Sequence, residues 1–128
     1  MSDDWHTLAN PDEIPSPALL IYPDRVEENI RRMIAMAGSA DRLRPHVKTH
    51  KLGEIVQLQI KAGITRFKCA TIAEAEMLAQ AGARDVLLAN QIVGPNASRL
   101  TKLAGWFREV SFSTIADDAE AVGHLASA

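Results

Sequence analysis

Ala62-Gly63-Ile64-Thr65-Arg66-Phe67-Lys68-Cys69-Ala70-Thr71-Ile72-Ala73-Glu74 reads as a helix end, a turn, a strand and a helix start. Ala-Gly closes a helix, because glycine takes the left-handed conformation that ends one. Arg66 to Ala70 is predicted to be a strand. Thr71-Ile72-Ala73-Glu74 is a capping box: the Thr hydroxyl accepts from the amide of Glu74, and Glu74 reaches back. Pieces of this pattern recur. Ala-Gly returns at 81–82 and 104–105, each time before a strand, and Thr-Ile-Ala-Glu returns as Thr-Ile-Ala-Asp at 114–117, after one. The repeated unit is βα. Crossovers of this kind produce a parallel sheet with helices outside it. Four strands starting near 43, 66, 86 and 109 lie about 20 residues apart, a spacing that suits a (βα) barrel.

Upstream, residues 1–17 are polar, contain Pro11, Pro15 and Pro17, and read as an irregular arm. Ala18-Leu19-Leu20-Ile21-Tyr22 is a continuous apolar run, predicted to be a buried strand, and Pro23 suits the first turn of a helix. Val26, Ile30, Met33, Ile34 and Ala37 fall on one face of a helix from Arg25 to Ala37, with Gly38 as its cap. A turn through Ser39 and Asp41 leads to a strand over 43–50. After Lys51, the residues Leu52, Ile55, Val56 and Ile60 predict a second helix ending at Ala62-Gly63. Downstream, the capped helix runs to about Ala81 and closes on Gly82. Asp85 precedes a strand Val86–Asn90, and Gly94-Pro95 breaks the chain. A helix of about Asn96 to Ala104 closes on Gly105. Val110–Ser113 is the last strand, and Thr114–Asp117 opens the last helix. Trp106 and Phe107 are expected to pack in the core or an interface.

The bulk properties exclude several classes. The chain has 128 residues, 47% hydrophobic and 23% charged, ordinary for a globular domain. A net charge of −2 gives no global attraction to nucleic acid or an anionic membrane. Cys69 is the only cysteine, which rules out an intrachain disulfide and a zinc site of paired cysteines. Met1–Asn10 lacks the apolar core of a secretory signal, and no apolar run approaches membrane-spanning length. A cytoplasmic protein is the expectation. A closed barrel takes eight units and roughly 250 residues, whereas four units leave two open edges. The chain is therefore expected to be a piece of a larger barrel, with pairing to another copy or a small open sheet as alternatives. Leu125–Ala128 resemble helix interior, which favours a fragment.

The chemistry concentrates in Arg44-Pro45-His46-Val47-Lys48-Thr49-His50-Lys51. On a strand, Arg44, His46, Lys48 and His50 share one face. Such a face is poor core, since buried unpaired cations are costly, but it suits a site that holds an anion. Lys48 lies near the strand's C-terminal end, where barrel enzymes place catalytic groups. Cationic neighbours and desolvation would both favour its neutral amine, which can attack a carbonyl and form a Schiff base. His46 and His50 have two readings: groups that orient Lys48 or touch a cofactor, or hydrogen-bonded histidines lining a barrel. A metal site is not expected, because no acid stands at suitable spacing. Asn90 ends its strand and is expected to face the barrel mouth as a pocket-lining residue, unless it is only a turn former. Gln91-Ile92-Val93-Gly94-Pro95 is too poor in glycine to cradle a phosphate.

Pro-His-Val-Lys-Thr-His-Lys at 45–51, Ser16-Pro17-Ala18-Leu19-Leu20-Ile21 and Cys69-Ala70-Thr71-Ile72-Ala73-Glu74-Ala75-Glu76 together resemble the D-threonine aldolase/D-serine dehydratase group. That group belongs to the alanine racemase-like, fold-type III pyridoxal-phosphate enzymes. The resemblance implies an α/β fold of parallel (βα) units, the N-terminal half of an alanine racemase-like TIM barrel. It divides the chain into an arm at 1–17 and a partial barrel domain at 18–128, without the C-terminal half or β-domain. It implies pyridoxal 5'-phosphate as cofactor, with Lys48 as the catalytic Schiff-base lysine; His46, His50 and Asn90 are candidate cofactor contacts by their positions alone. It further implies a homodimeric lyase acting on D-configured β-hydroxy amino acids. Its divalent metal is bound by residues of a C-terminal domain, so this segment is expected to bind none and to be inactive alone. The alternatives are a non-enzymatic pyridoxal-phosphate carrier and a truncated module that binds no cofactor.

Overall fold

The computed structural model describes residues 5–128. Its sheet has three parallel strands in sequential order: β1 (Arg66–Cys69), β2 (Asp85–Gln91) and β3 (Ser111–Ile115). The helices are α1 (Pro23–Ala37), α2 (Gly53–Lys61), α3 (Ile72–Gln80), α4 (Asn96–Trp106) and α5 (Ala119–Ser127). β1 and β2 align Arg66 with Asp85 and Cys69 with Leu88, and β2 and β3 align Asp85 with Ser111. Sequential parallel strands joined by helices are the topology expected of barrel units.

The core lies between the sheet and its helices. Phe67, Cys69 and Val86 are fully buried and Leu88 nearly so, facing Val56, Leu78 and Leu103 of the same apolar cluster. Alternate residues Arg66, Lys68, Asp85 and Leu87 are only half-buried, on the other face of the sheet. The capping box forms with one adjustment. The Glu74 amide donates to Thr71 Oγ1 (3.1 Å), but Glu74 Oε2 accepts from Ala70 rather than from Thr71 (2.8 Å). Gly38, Gly63 and Gly82 all take positive φ where the sequence places helix ends.

Several expectations are corrected. Ala18–Tyr22 forms no regular element and pairs with no strand among the described residues, and Leu19 is 72% exposed. A buried strand needs a neighbour's hydrogen bonds, and none is beside this one. Residues 43–50 form no full strand either. Only His46 bridges β1, opposite Lys68, with Pro45 O accepting from the Lys68 amide (2.8 Å). Val47–Thr49 then coils into a 3₁₀ turn. Pro45 has no N–H to extend a ladder, and His46 Nδ1 accepts from the Lys48 amide (3.3 Å), which starts the turn instead.

Thr114–Asp117 does not open a helix. β3 continues through Ile115, and the Thr114 hydroxyl donates to the carbonyls of Leu88 and Asn90, each at 3.2 Å. Asp118 caps α5 instead, accepting from Ala121 N at 3.0 Å. Gly105 lies inside α4 rather than closing it. Trp106 is 72% exposed, whereas Phe107 packs against the core.

Candidate functional site

The Lys48 turn sits at the C-terminal end of the one-residue bridge to β1. Val47 anchors it, fully buried, and its carbonyl accepts from the amides of both His50 (3.2 Å) and Lys51 (2.8 Å). Lys48 itself is exposed. Among the described residues, no hydrogen bond or ion pair engages its ammonium. The alternation expected of a strand stops here, and a turn presents the amine instead.

Two histidines flank it. His46 is the N-cap of the turn. His50 Nδ1 accepts from the Leu52 amide (3.1 Å), and its buried Nε2 has no hydrogen-bond partner. Burial lowers the pKa of His46, and Lys48 and Lys68 lower it further. Burial also lowers that of His50, against the opposing field of Glu74. The neutral ring is the form that can accept at Nδ1. An imidazole NMR titration should therefore place the His50 midpoint below the ordinary 6.5. The sign follows from linkage. Neutral His50 contributes its full stability above 6.5, and the contribution is lost as pH falls from there toward the depressed folded value.

Arg44 does not join this group. Its guanidinium turns to Asp85, with Nη1–Oδ1 at 2.7 Å and Nη2–Oδ2 at 2.8 Å, and Nη1 also reaches Phe67 O at 3.3 Å. The hydrogen bond to Asp85 raises the Arg44 pKa. So neither the desolvation nor the complete cationic crowd expected from the sequence surrounds Lys48. A bidentate carboxylate at hydrogen-bonding distance outcompetes an exposed, cationic neighbourhood.

Asn90 is exposed at the C-terminal end of β2 and lines a crevice of about 260 Å³ with Thr71, Gln91, Asn96 and Arg99. His46, Lys48 and His50 lie on one short segment that bridges β1 at His46. The sequence reading missed two neighbours. Lys68 lies opposite His46, as the Arg66-x-Lys68 alternation against Phe67 and Cys69 could have shown. Glu74 had been read only as a cap, yet its charge acts on His46, His50 and Cys69. Burial first, then Glu74, pushes the Cys69 thiol up to about 12. That thiol stays protonated at neutral pH, 3.6 Å from Leu87 O. Among the described residues, no three His, Cys, Asp or Glu side chains gather as a metal site. Among the described residues, no helix is long and apolar enough to cross a membrane.

Chemically, the turn offers a primary amine free of partners, with a buried imidazole nitrogen lacking one nearby in the chain. An unengaged amine of this kind can react with a ligand that carries a carbonyl.

Residues 21–115 match the alanine racemase N-terminal domain family. The chain is 32% identical over 116 residues to a D-threonine aldolase of an Arthrobacter species, covering 90% of this chain and 30% of that protein. It is 32% identical over 119 residues to a 3-hydroxy-D-aspartate aldolase of Paracoccus denitrificans, covering 91% and 30%. A shorter match, 40% over 77 residues, is to a D-threo-3-hydroxyaspartate dehydratase of Delftia sp., covering 59% and 20%. The crystal structure of D-threonine aldolase from Filomicrobium marinum superposes with a TM-score of 0.78 at 32% identity, over 89% of this chain and 30% of that one. The chain spans about 30% of the length of these aldolases.

Proposed function

The chain belongs to the alanine racemase N-terminal domain family, and we propose that it forms the lysine-bearing part of a longer pyridoxal-phosphate-dependent lyase for D-configured β-hydroxy amino acids. The observation that carries this reading is the turn of residues 47–49. It offers Lys48 as an unengaged amine at the C-terminal end of a barrel position, in a fold matching D-threonine aldolase at a TM-score of 0.78. In this reading residues 1–17 are an arm and 18–128 part of a barrel, and the chain's 30% share of its relatives' length supports its being part of a longer protein.

Pyridoxal phosphate, when bound, supplies the electron sink that weakens bonds at the amino acid's α-carbon. Lys48 would hold the cofactor by its amine nitrogen, which can condense with the aldehyde with release of water. His46 fixes the start of the turn through its Nδ1, so the amine leaves the backbone at a set position. His50 is held at Nδ1 by the Leu52 amide, and its buried Nε2 has no hydrogen-bond partner. Asn90 lines the crevice at the C-terminal ends of β1 and β2, where it would contact the ligand.

The test is consumption of D- and L-threonine and of D- and L-3-hydroxyaspartate by the full-length protein with pyridoxal phosphate and a divalent metal. Consumption of the D-forms alone is expected. Glycine with an aldehyde would identify aldol cleavage, and a keto acid with ammonia would identify dehydration. Equal inertness toward all four compounds would overturn the reading.

A further inference from the structure

Lys51 ends the Lys48 turn with φ 52, the sole positive φ outside glycine among the described residues. An L-residue takes this conformation at a cost, and its persistence points to something that holds it. Lys51 Nζ lies 3.6 Å from Glu74 Oε1. Glu74 is only 5% exposed, and its other oxygen receives the Ala70 amide. Capping alone does not require that charge, since the neutral amide of glutamine can occupy the same place in a capping box. A carboxylate buried without a cation is strongly unfavourable. Lys51 is the cation within 4 Å of it among the described residues. The backbone reversal at Lys51 and the buried charge at Glu74 therefore explain each other. The reversal brings the ammonium back over the junction of β1 and α3.

We propose that Lys51 and Glu74 form a latch that positions Lys48, fastening the turn that carries the amine to the neighbouring βα unit. Both are positioning residues, and neither needs to touch the cofactor. The proposal rests on Lys48 being the cofactor lysine. The latch itself exists without the cofactor. Because the Lys51 side chain is 63% exposed, added salt weakens the latch.

The experiment uses the full-length protein without cofactor and then with pyridoxal phosphate trapped by borohydride. Lys51→Met removes the charge, Lys51→Arg keeps it, Glu74→Gln keeps the cap, and Lys51→Gly relieves the backbone. In the cofactor-free protein, amide exchange at His50 and Lys51 should quicken roughly fivefold in Lys51→Met and Glu74→Gln, and return with Lys51→Arg. Trapped label on Lys48 should fall by a similar factor in the same two variants. Lys51→Gly is decisive, because it should melt no lower than the parent and still lose label. Unchanged exchange and label in Lys51→Gly and Glu74→Gln would overturn the latch. If the parent takes no label at Lys48, the cofactor reading fails, and cofactor-free exchange alone decides the latch.

Discussion

Lys48→Ala should eliminate pyridoxal-phosphate attachment and lyase turnover while changing unfolding free energy by no more than about 0.5 kcal/mol. The second half of the expectation follows from the structure. Lys48 is exposed, and no hydrogen bond or ion pair holds its side chain among the described residues. The hydrogen bond that its backbone N–H donates to His46 Nδ1 is one that alanine keeps. The first half follows from chemistry, since no other side chain of residues 47–49 carries an amine that can make a carbon–nitrogen bond to an aldehyde. Lys51 is the nearest substitute, but its ammonium is committed to Glu74. Visible absorbance on adding the cofactor, borohydride reduction and peptide mass mapping would read this out. Equal labelling of the alanine variant and its parent would move the chemistry to another lysine.

The second large effect is on stability. Phe67→Ala should cost about 3–5 kcal/mol. Phe67 is fully buried on β1, the strand between the Lys48 segment and β2. Its ring is among the largest wholly enclosed side chains of the domain. Truncation removes apolar burial and leaves a void that surrounding helices fill only in part. Against a typical domain stability of about 5–15 kcal/mol, that loss is a large fraction. Urea unfolding should show a lower midpoint with an unchanged slope, and a midpoint within error of the parent would refute the packing argument.

The sequence made the βα repeat legible because its signals are local. Gly38, Gly63 and Gly82 sit at positive φ where the helices end, and Thr71 with Glu74 caps α3 from within four residues. What it concealed depends on distant partners. Leu19 to Tyr22 has the composition of a buried strand, yet burial needs a neighbour from elsewhere in the chain. Thr114 resembles Thr71 in sequence, but its hydroxyl is taken by the carbonyls of Leu88 and Asn90, so β3 runs on. At the site, His46, Lys48 and His50 are close in sequence, but the shared strand face that their spacing predicts gives way to a 3₁₀ turn at 47–49. The partner of Arg44 was not readable, because Asp85 stands 41 residues away. Nor was the second role of Glu74, whose capping bond is local while its charge acts on histidines of the preceding unit.

The Arg44–Asp85 pair has one more consequence. It spans β1, joining the segment before that strand to the strand after it, and so compares the alignment of three neighbouring stretches at once. If β2 slipped by one residue, Asp85 would turn to the opposite face, among Val86, Leu88 and the helices, with no guanidinium within reach. The misaligned sheet would then hold a lone carboxylate in an apolar layer, a penalty the correct alignment avoids. The pair thus acts as a key that only one alignment of the strands can turn, far from the amine whose placement depends on that alignment.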